Sequence, residues 1–276
     1  MKIGLIGFGF INKAVAYAFG KNHEILYWCL EESNCTKDEM FAKSDAIFVS
    51  VPTPMKNRDG NIDLSIIKKV FDEIADKKYK GVVILKSTVV PGTTKQLLKS
   101  HPKLRIVFNP EFLRGRSANS DFIKATRIIL GGRLKDLALV KKLYRSRFKQ
   151  TPIFLTDSTT AEFIKYMSNM FLVTKVIYMN VLYKAAKKIG VDWDMAIKGL
   201  LSDSRVGKSH YQVPGHDGDF GFGGYCFPKD INAFIHWLKR NKLKDEAGFF
   251  ELVWKLNLKY RKNRDWENIN GAMSKK

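Results

Sequence analysis

The 276-residue chain is 45% hydrophobic and 27% charged, the balance of a globular protein with core enough for one large domain or two modest ones. Its 48 Lys and Arg against 27 Asp and Glu leave a net charge of +21, a field that draws anions such as nucleic acid or a phosphorylated small molecule. Three cysteines, Cys29, Cys35 and Cys226, with no CxxC pair and no clustered His, argue against a disulfide framework and a zinc site, so no metal is expected. No run approaches the roughly 20 apolar residues of a membrane-spanning helix, and MKIGLIGFGF is too short and glycine-rich for a secretory leader, which makes the cytoplasm the expected address. RNP-like aromatics, zinc-finger spacing and a helix-turn-helix signature are all lacking, and the lysines are spread along the chain. The basic surface therefore reads as solvated, and nucleic acid is not the expected partner.

Residues 2–6 form a β-rich run that ends at Gly7, and helical apolar spacing follows over 11–19, which predicts strand, glycine turn and helix. Further apolar runs at 25–30, 46–51, 82–85, 106–108 and 127–130 alternate with amphipathic stretches at 64–77, 93–100 and 134–148. That alternation predicts an α/β fold with a parallel, doubly wound, Rossmann-like sheet. Beyond Thr156 the pattern changes to an uninterrupted helical stretch, 159–189, followed by predicted helices at 193–201, 228–241 and 246–262 and a glycine-rich loop over 206–224. The expected organisation is a nucleotide-binding domain over 1–157 and an all-α domain over 158–276, joined by the long helix.

In the first turn, Gly7-Phe8-Gly9-Phe10-Ile11-Asn12, Gly7 permits the tight bend and Gly9 admits a pyrophosphate to the helix N-terminus, with Asn12 where a third glycine would aid packing. Such a loop also calls for an acid about twenty residues on to hold the ribose; Cys29 stands there, with Glu31 and Glu32 close by. Two later strand ends, Val51-Pro52-Thr53 and Ser87-Thr88, lie where doubly wound sheets bind ligands, although their prolines also serve as simple strand stops. Glu111, in Asn109-Pro110-Glu111-Phe112-Leu113, has apolar neighbours that would raise its pKa toward a general base. Lys165 and Asn169 are four apart on the long helix, so both could donate to one oxygen. Cys226 reads equally as packing, a ligand or a nucleophile.

Taken in order, GFGF, VPTP with its following Asp59-Gly60, KSTVVPGTT, NPEFLRGRSA, AEFIKYMSNMF, SDSRVG and FGFGGYCFPKD make residues 1–262 resemble the UDP-glucose and GDP-mannose dehydrogenase family. The resemblance implies NAD-dependent double oxidation of the C6 alcohol of a nucleotide sugar, with UDP-glucose the expected substrate and a homodimer the expected assembly. It implies Cys226 as the nucleophile that forms a thiohemiacetal and then a thioester, Lys165 and Asn169 as oxyanion donors, Thr88 and Asp230 as the holders of a water, and Glu111 as the base for hydrolysis. The implied NAD contacts are Gly7, Gly9, Phe10, Ile11, Asn12, Val51, Pro52, Thr53, Ser87 and Thr88. The implied substrate contacts are Glu111, Phe112, Leu113, Lys165, Asn169, Phe220, Gly221, Phe222, Gly223, Gly224 and, across a dimer interface, Arg205.

Several positions depart from the family pattern: Cys29 replaces the ribose acid, Gly115 replaces a glutamate after LR, and only residues 32–44 separate the second and third strands. The resemblance implies a third, nucleotide-gripping domain that is expected to be lacking, so a separate chain is an expected supplier and the loop 212–219 an expected substitute contact. The competing expectations are a hydroxyacid-type dehydrogenase that needs no cysteine, and an idle dinucleotide or sugar-nucleotide binding module.

Overall fold

The computed structural model describes residues 1–56 and 60–274, so Asp59 of the VPTP segment lies outside the described residues. The chain opens with β1 (Lys2–Ile6), α1 (Phe10–Phe19), β2 (Glu24–Trp28), α2 (Lys37–Lys43) and β3 (Ala46–Val49), then a short hairpin of β4 (Met55–Lys56) and β5 (Asn61–Ile62). It continues with α3 (Ser65–Asp76), β6 (Val82–Leu85), α4 (Thr93–Ser100), β7 (Arg105–Phe108), α5 (Ala118–Ile123), β8 (Ile128–Gly132), α6 (Leu134–Arg147) and β9 (Ile153–Thr156). The rest is helical: α7 (Ser158–Ile189), α8 (Trp193–Leu201), α9 (Phe227–Arg240) and α10 (Lys244–Tyr260).

Two compact units result, Met1–Thr53 with Asp63–Lys165, and Pro54–Ile62 with Tyr166–Lys276. The expected division after residue 157 coincides with the start of α7, whereas the units part inside that helix.

The first unit is the doubly wound sheet, in the order β2-β1-β3-β6-β7-β8-β9. Its central strands are apolar on both faces because helices cover both: Phe48 enters one core with Leu5 and Ile84, while Ile47 and Val49 enter the other with Val83 and Leu85. Strand order reverses between β1 and β3, which places the glycine turn at the topological switch point. The expectation of an all-parallel sheet is corrected at one pair, since β7 and β8 run antiparallel; alternation in a sequence reveals a strand and is blind to its direction. Strand β9, an edge strand with little burial, and helix α2 carry weaker signals. For α2 the signal is the Thr36-Lys-Asp-Glu39 capping pattern, and Thr36 Oγ1 accepts the Glu39 N–H at 3.1 Å.

In the second unit α7 buries a stripe at helical spacing, Tyr166, Met170, Val173 and Ile177, and Tyr166 stacks on Phe234 of α9 with centroids 5.5 Å apart. The unit is not wholly helical, because the β4–β5 hairpin packs on α9 so closely that a Cβ on Gly60 would lie 2.3 Å from Asn232 Cβ. Met55 N–H donates to Ala272 O and Ser274 N–H to Met55 O, each at 2.9 Å, fastening the hairpin to the last described segment. Among the described residues no helix is long and apolar enough to cross a membrane.

Candidate active site

The glycine turn is built by close approach. Gly7 has φ +78°, and a Cβ there would meet Ser50 O at 2.4 Å, so only glycine lets β1 turn beside the end of β3. At Gly9, the N-cap of α1, a Cβ would meet nothing within 4 Å, and no side chain caps the helix. With no side-chain cap, the first-turn N–H groups of α1 need an acceptor, which suits an anion such as a pyrophosphate. Asn12 does not point there. Its buried Nδ2 donates to Gly7 O at 2.6 Å and Ile6 O at 3.1 Å, so its side chain braces the turn. The neighbouring strand ends are laced together: Ser87 Oγ accepts the Val51 N–H at 2.9 Å and donates to Val51 O at 2.8 Å, and Thr53 Oγ1 donates to Thr88 O at 3.0 Å. Pro52 stays exposed between them.

Glu111 and Lys165, 54 residues apart, meet as a buried ion pair with Nζ to Oε1 at 2.9 Å. The other carboxylate oxygen accepts the Leu113 N–H at 2.7 Å, and Phe112 places its ring centroid 5.5 Å from the Lys165 ammonium. The expectation of a raised Glu111 pKa is overturned. Burial pushes it up, but Lys165, the Leu113 N–H and the field of Lys86 outweigh that and hold it below the ordinary carboxylate value. Lys86 is a residue sequence reasoning passed over. It is buried with its Nζ 2.7 Å from Asn109 Oδ1, an oxygen that also accepts from the Tyr144 hydroxyl. Burial lowers its pKa to about 7, partly offset by Glu111 and reinforced by Lys165. A second overlooked group is Glu162, one turn before Lys165, whose carboxylate accepts the N–H groups of Gly92 (2.6 Å) and Thr94 (2.7 Å) and the Thr94 hydroxyl (2.6 Å) at the start of α4. Desolvation raises it to about 7 against those bonds. A carboxylate three residues before Lys165 on one helix face was the available signal.

The second unit holds the other predicted catalytic residues. Cys226 is half-buried at the N-cap of α9, where the helix dipole favours negative charge. One turn on, Asp230 is fully buried; Lys229 Nζ donates to its Oδ1 at 2.5 Å and Asn169 Nδ2 to its Oδ2 at 2.6 Å. Burial opposes the Lys229 ammonium, yet the charges of Asp230 and Cys226 outweigh it and raise its pKa, so a firmly protonated cation stands in the field of the thiol. Lys229 was legible only as part of a motif, because successive residues of a helix do not ordinarily face each other and adjacency to Asp230 does not by itself pair the two side chains. Helix α7 is continuous through Lys165 and Asn169, which stand one turn apart on one of its faces.

The glycine segment before Cys226 is shaped by packing on α10. A Cβ on Gly221, at φ +68°, would lie 2.3 Å from Asn257 Oδ1, and one on Gly223 would lie 2.4 Å from Arg261 Nη2. The amides of this segment, expected to approach a sugar, are already committed: Gly221 to Asn180 Oδ1 (3.0 Å), Phe222 to Asn257 Oδ1 (2.7 Å) and Gly224 to both oxygens of Asp265 (3.1 Å). The loop 212–219 is likewise committed. Asp217 pairs with buried Arg261 at 2.7 Å, and Asp219 Oδ2 accepts the N–H groups of Lys262 (3.0 Å) and Asn263 (2.7 Å), so its acids fasten the end of α10. Phe220 lies under the Lys184 ammonium, 5.5 Å from its centroid. Arg205 is 88% exposed and pairs locally with Asp203 at 2.6 Å, while a Cβ on Gly115 would meet nothing within 4 Å.

Residues 22–148 match the NAD binding domain, and residues 159–259 the central domain, of the UDP-glucose/GDP-mannose dehydrogenase family. The UDP-glucose 6-dehydrogenase of Rickettsia prowazekii (strain Madrid E) is 36% identical over 210 residues, 74% of this chain and 47% of that protein. That of Bacillus subtilis (strain 168) is 36% identical over 203 residues, 70% of this chain and 44% of its own length. The chain thus spans about half the length of the curated relatives it matches. Among solved structures, a UDP-glucose dehydrogenase from Pyrobaculum islandicum superposes with a TM-score of 0.82 at 25% identity, covering 94% of this chain and 68% of that one.

Proposed function

The chain belongs to the UDP-glucose/GDP-mannose dehydrogenase family, and from that premise we propose that it oxidises the C6 alcohol of a nucleotide sugar, UDP-glucose first among them, to the uronate. The observation that carries this reading is Cys226 at the N-terminus of α9, in the field of a buried Lys229 ammonium bonded to Asp230, whose other carboxylate oxygen accepts from Asn169. A structural thiol needs neither a helix dipole nor a cation; a nucleophile gains from both.

Gly7 and Gly9 with the first-turn amides of Phe10 and Ile11 are assigned the pyrophosphate, and Val51, Pro52, Thr53, Ser87 and Thr88 the remainder of the dinucleotide. When bound, NAD+ supplies the hydride acceptor for each of the two oxidations. The chain's own residues handle protons and the acyl group. Thr88 and Asp230 hold the water that takes the C6 hydroxyl proton, and Lys165 and Asn169 donate to that oxygen. An ammonium has three donors and an amide two, so holding a carboxylate and a substrate oxygen together is within their valence. The Cys226 thiolate adds to the aldehyde carbon, forming the C–S bond of a thiohemiacetal whose oxidation leaves a thioester. Glu111, kept ionised by Lys165, takes a proton from the water that attacks the thioester. The C–S bond breaks, the thiolate departs stabilised by Lys229 and α9, and the uronate is released.

A homodimer is part of the same proposal. Besides its buried stripe, α7 leaves Met167, Phe171 and Tyr178 exposed, at 54%, 65% and 58%, an apolar row of the kind that another subunit covers. Sedimentation of Phe171→Asp against the parent protein tests it, a monomeric parent being the result that removes it.

The activity is tested by incubating the protein with NAD+ and a panel of sugar nucleotides, comparing cofactor reduced with sugar consumed. About two NADH per sugar is expected, with Cys226→Ser slower in uronate formation by about a thousandfold or more. One NADH per sugar, indifferent to Cys226, would favour a hydroxyacid-type reaction, and no reduction with any sugar would reject an enzymatic role.

A further inference from the structure

The end of β2 presents Cys29 where a dinucleotide fold places the acid that holds the adenosine ribose. The structure turns this thiol onto its own backbone. Cys29 Sγ donates to Glu32 O at 3.0 Å and accepts the Glu32 N–H at 3.3 Å, the Cys29 N–H reaches Glu32 O at 3.2 Å, and Ser33 Oγ donates to Cys29 O at 3.1 Å. A β-bridge between Trp28 and Ser33 completes a tight turn that folds residues 29–33 back on the strand. The consequence is positional: Glu32, three residues late in sequence, is returned to the strand's end.

There its carboxylate lies 3.4 Å from Lys13 Nζ, on the second turn of α1. The same region is tied to the glycine turn by three further contacts. Gly7 N–H donates to Trp28 O at 3.0 Å, Phe8 stacks on Tyr27 with centroids 3.9 Å apart, and the Lys13 ammonium stands 5.4 Å from the Phe8 centroid. Glu31, one residue earlier, is exposed and takes no part in these contacts.

We propose that Glu32 supplies the ribose-binding carboxylate that Cys29 cannot, and that its pair with Lys13 sets the preference for a free 2′-hydroxyl over a 2′-phosphate. This rests on the dinucleotide reading above. A carboxylate accepts from vicinal hydroxyls and repels a phosphate; while Glu32 is present it also occupies Lys13, which would otherwise serve as a phosphate partner. Because the pair is half-exposed, it contributes little to stability, so its removal leaves a folded protein and shows in binding alone.

The test is calorimetric titration of the full chain with NAD+ and with NADP+, without sugar. Glu32→Gln is expected to weaken NAD+ about tenfold, the scale of one charge-assisted hydrogen bond, and to tighten NADP+. Adding Lys13→Ala to it should cancel the NADP+ gain, while Glu31→Gln should leave both affinities within about twofold. An unchanged NAD+ to NADP+ ratio in Glu32→Gln, or an equal change in Glu31→Gln, overturns the assignment while leaving the proposed activity standing. A parent protein that binds neither dinucleotide takes down the proposed function and this assignment together.

Discussion

Lys86 in the first unit and Lys229 in the second are buried alike, 2% and 3% exposed, yet their pKa values move in opposite directions. The difference lies in which ammonium owns a carboxylate. Lys229 bonds Asp230 directly, whereas Lys86 bonds the neutral Asn109 and only feels Glu111, whose bond belongs to Lys165. Glu162 extends the contrast from the acidic side: its bonds come from amides and a hydroxyl rather than an ammonium, and it is raised to about 7, while Glu111, in the field of two cations, is lowered. Burial pushes each group toward its neutral form, and the opposite charges within reach decide whether that push prevails, as it does for Lys86 and Glu162, or is outweighed, as for Lys229 and Glu111.

Lys229→Met should give the largest effect. It leaves Asp230 buried without a cation, at a cost of about 3–5 kcal/mol in urea unfolding at pH 7, and it should move Cys226 alkylation by iodoacetamide to higher pH. Lys165→Met should cost less, about 2 kcal/mol, because Lys86 remains to compensate Glu111. Equal losses in the two variants would break the comparison.

Lys86→Met tests the spare cation through pH. With its folded pKa lowered from 10.5 to about 7, the unfolded chain binds more protons across that window, so Lys86 makes stability rise from pH 7 toward 10.5. The rise should be absent from the variant, whose cost at pH 7 should be about 1 kcal/mol or less. Glu162→Gln is expected to be the mildest. A carboxyl raised from 4.5 to about 7 holds its proton longer when folded, so its contribution is complete below pH 4.5 and is lost as pH rises to 7. Subtracting the variant's pH profile from the parent's should expose that falling limb, and a flat difference would show that Glu162 stays ionised.

Much of the fold was legible because its signals are local. The glycine turn announced β1 and α1, continuous apolar runs announced the buried strands, and the unbroken helical spacing after Ser158 announced α7 almost to its ends. The β4–β5 hairpin was not, since two-residue strands have no period to read, and its place on α9 depends on Gly60 meeting Asn232 from far along the chain. For the candidate site, Glu111, Lys165, Asn169, Cys226 and Asp230 could be proposed from motifs, but the pairing of Glu111 with Lys165 and of Asn169 with Asp230 could not.

The sequence by itself determined the order of the main elements and the family to which they belong, because periodicity, glycine turns and motifs are properties of neighbouring residues. Only the tertiary structure decided that Glu111 is held down rather than pushed up, that the Gly221, Phe222 and Gly224 amides bond side chains of the fold, and that Lys229 faces Asp230 and the thiol while Lys86 bonds Asn109. Glu111 and Lys165 come together from 54 residues apart and the glycine-segment amides meet acceptors 35 to 41 residues away, while even the adjacent Lys229 and Asp230 pair only because of how the side chains are buried; an electrostatic neighbour acts through distance in space, which the spacing along a chain does not contain.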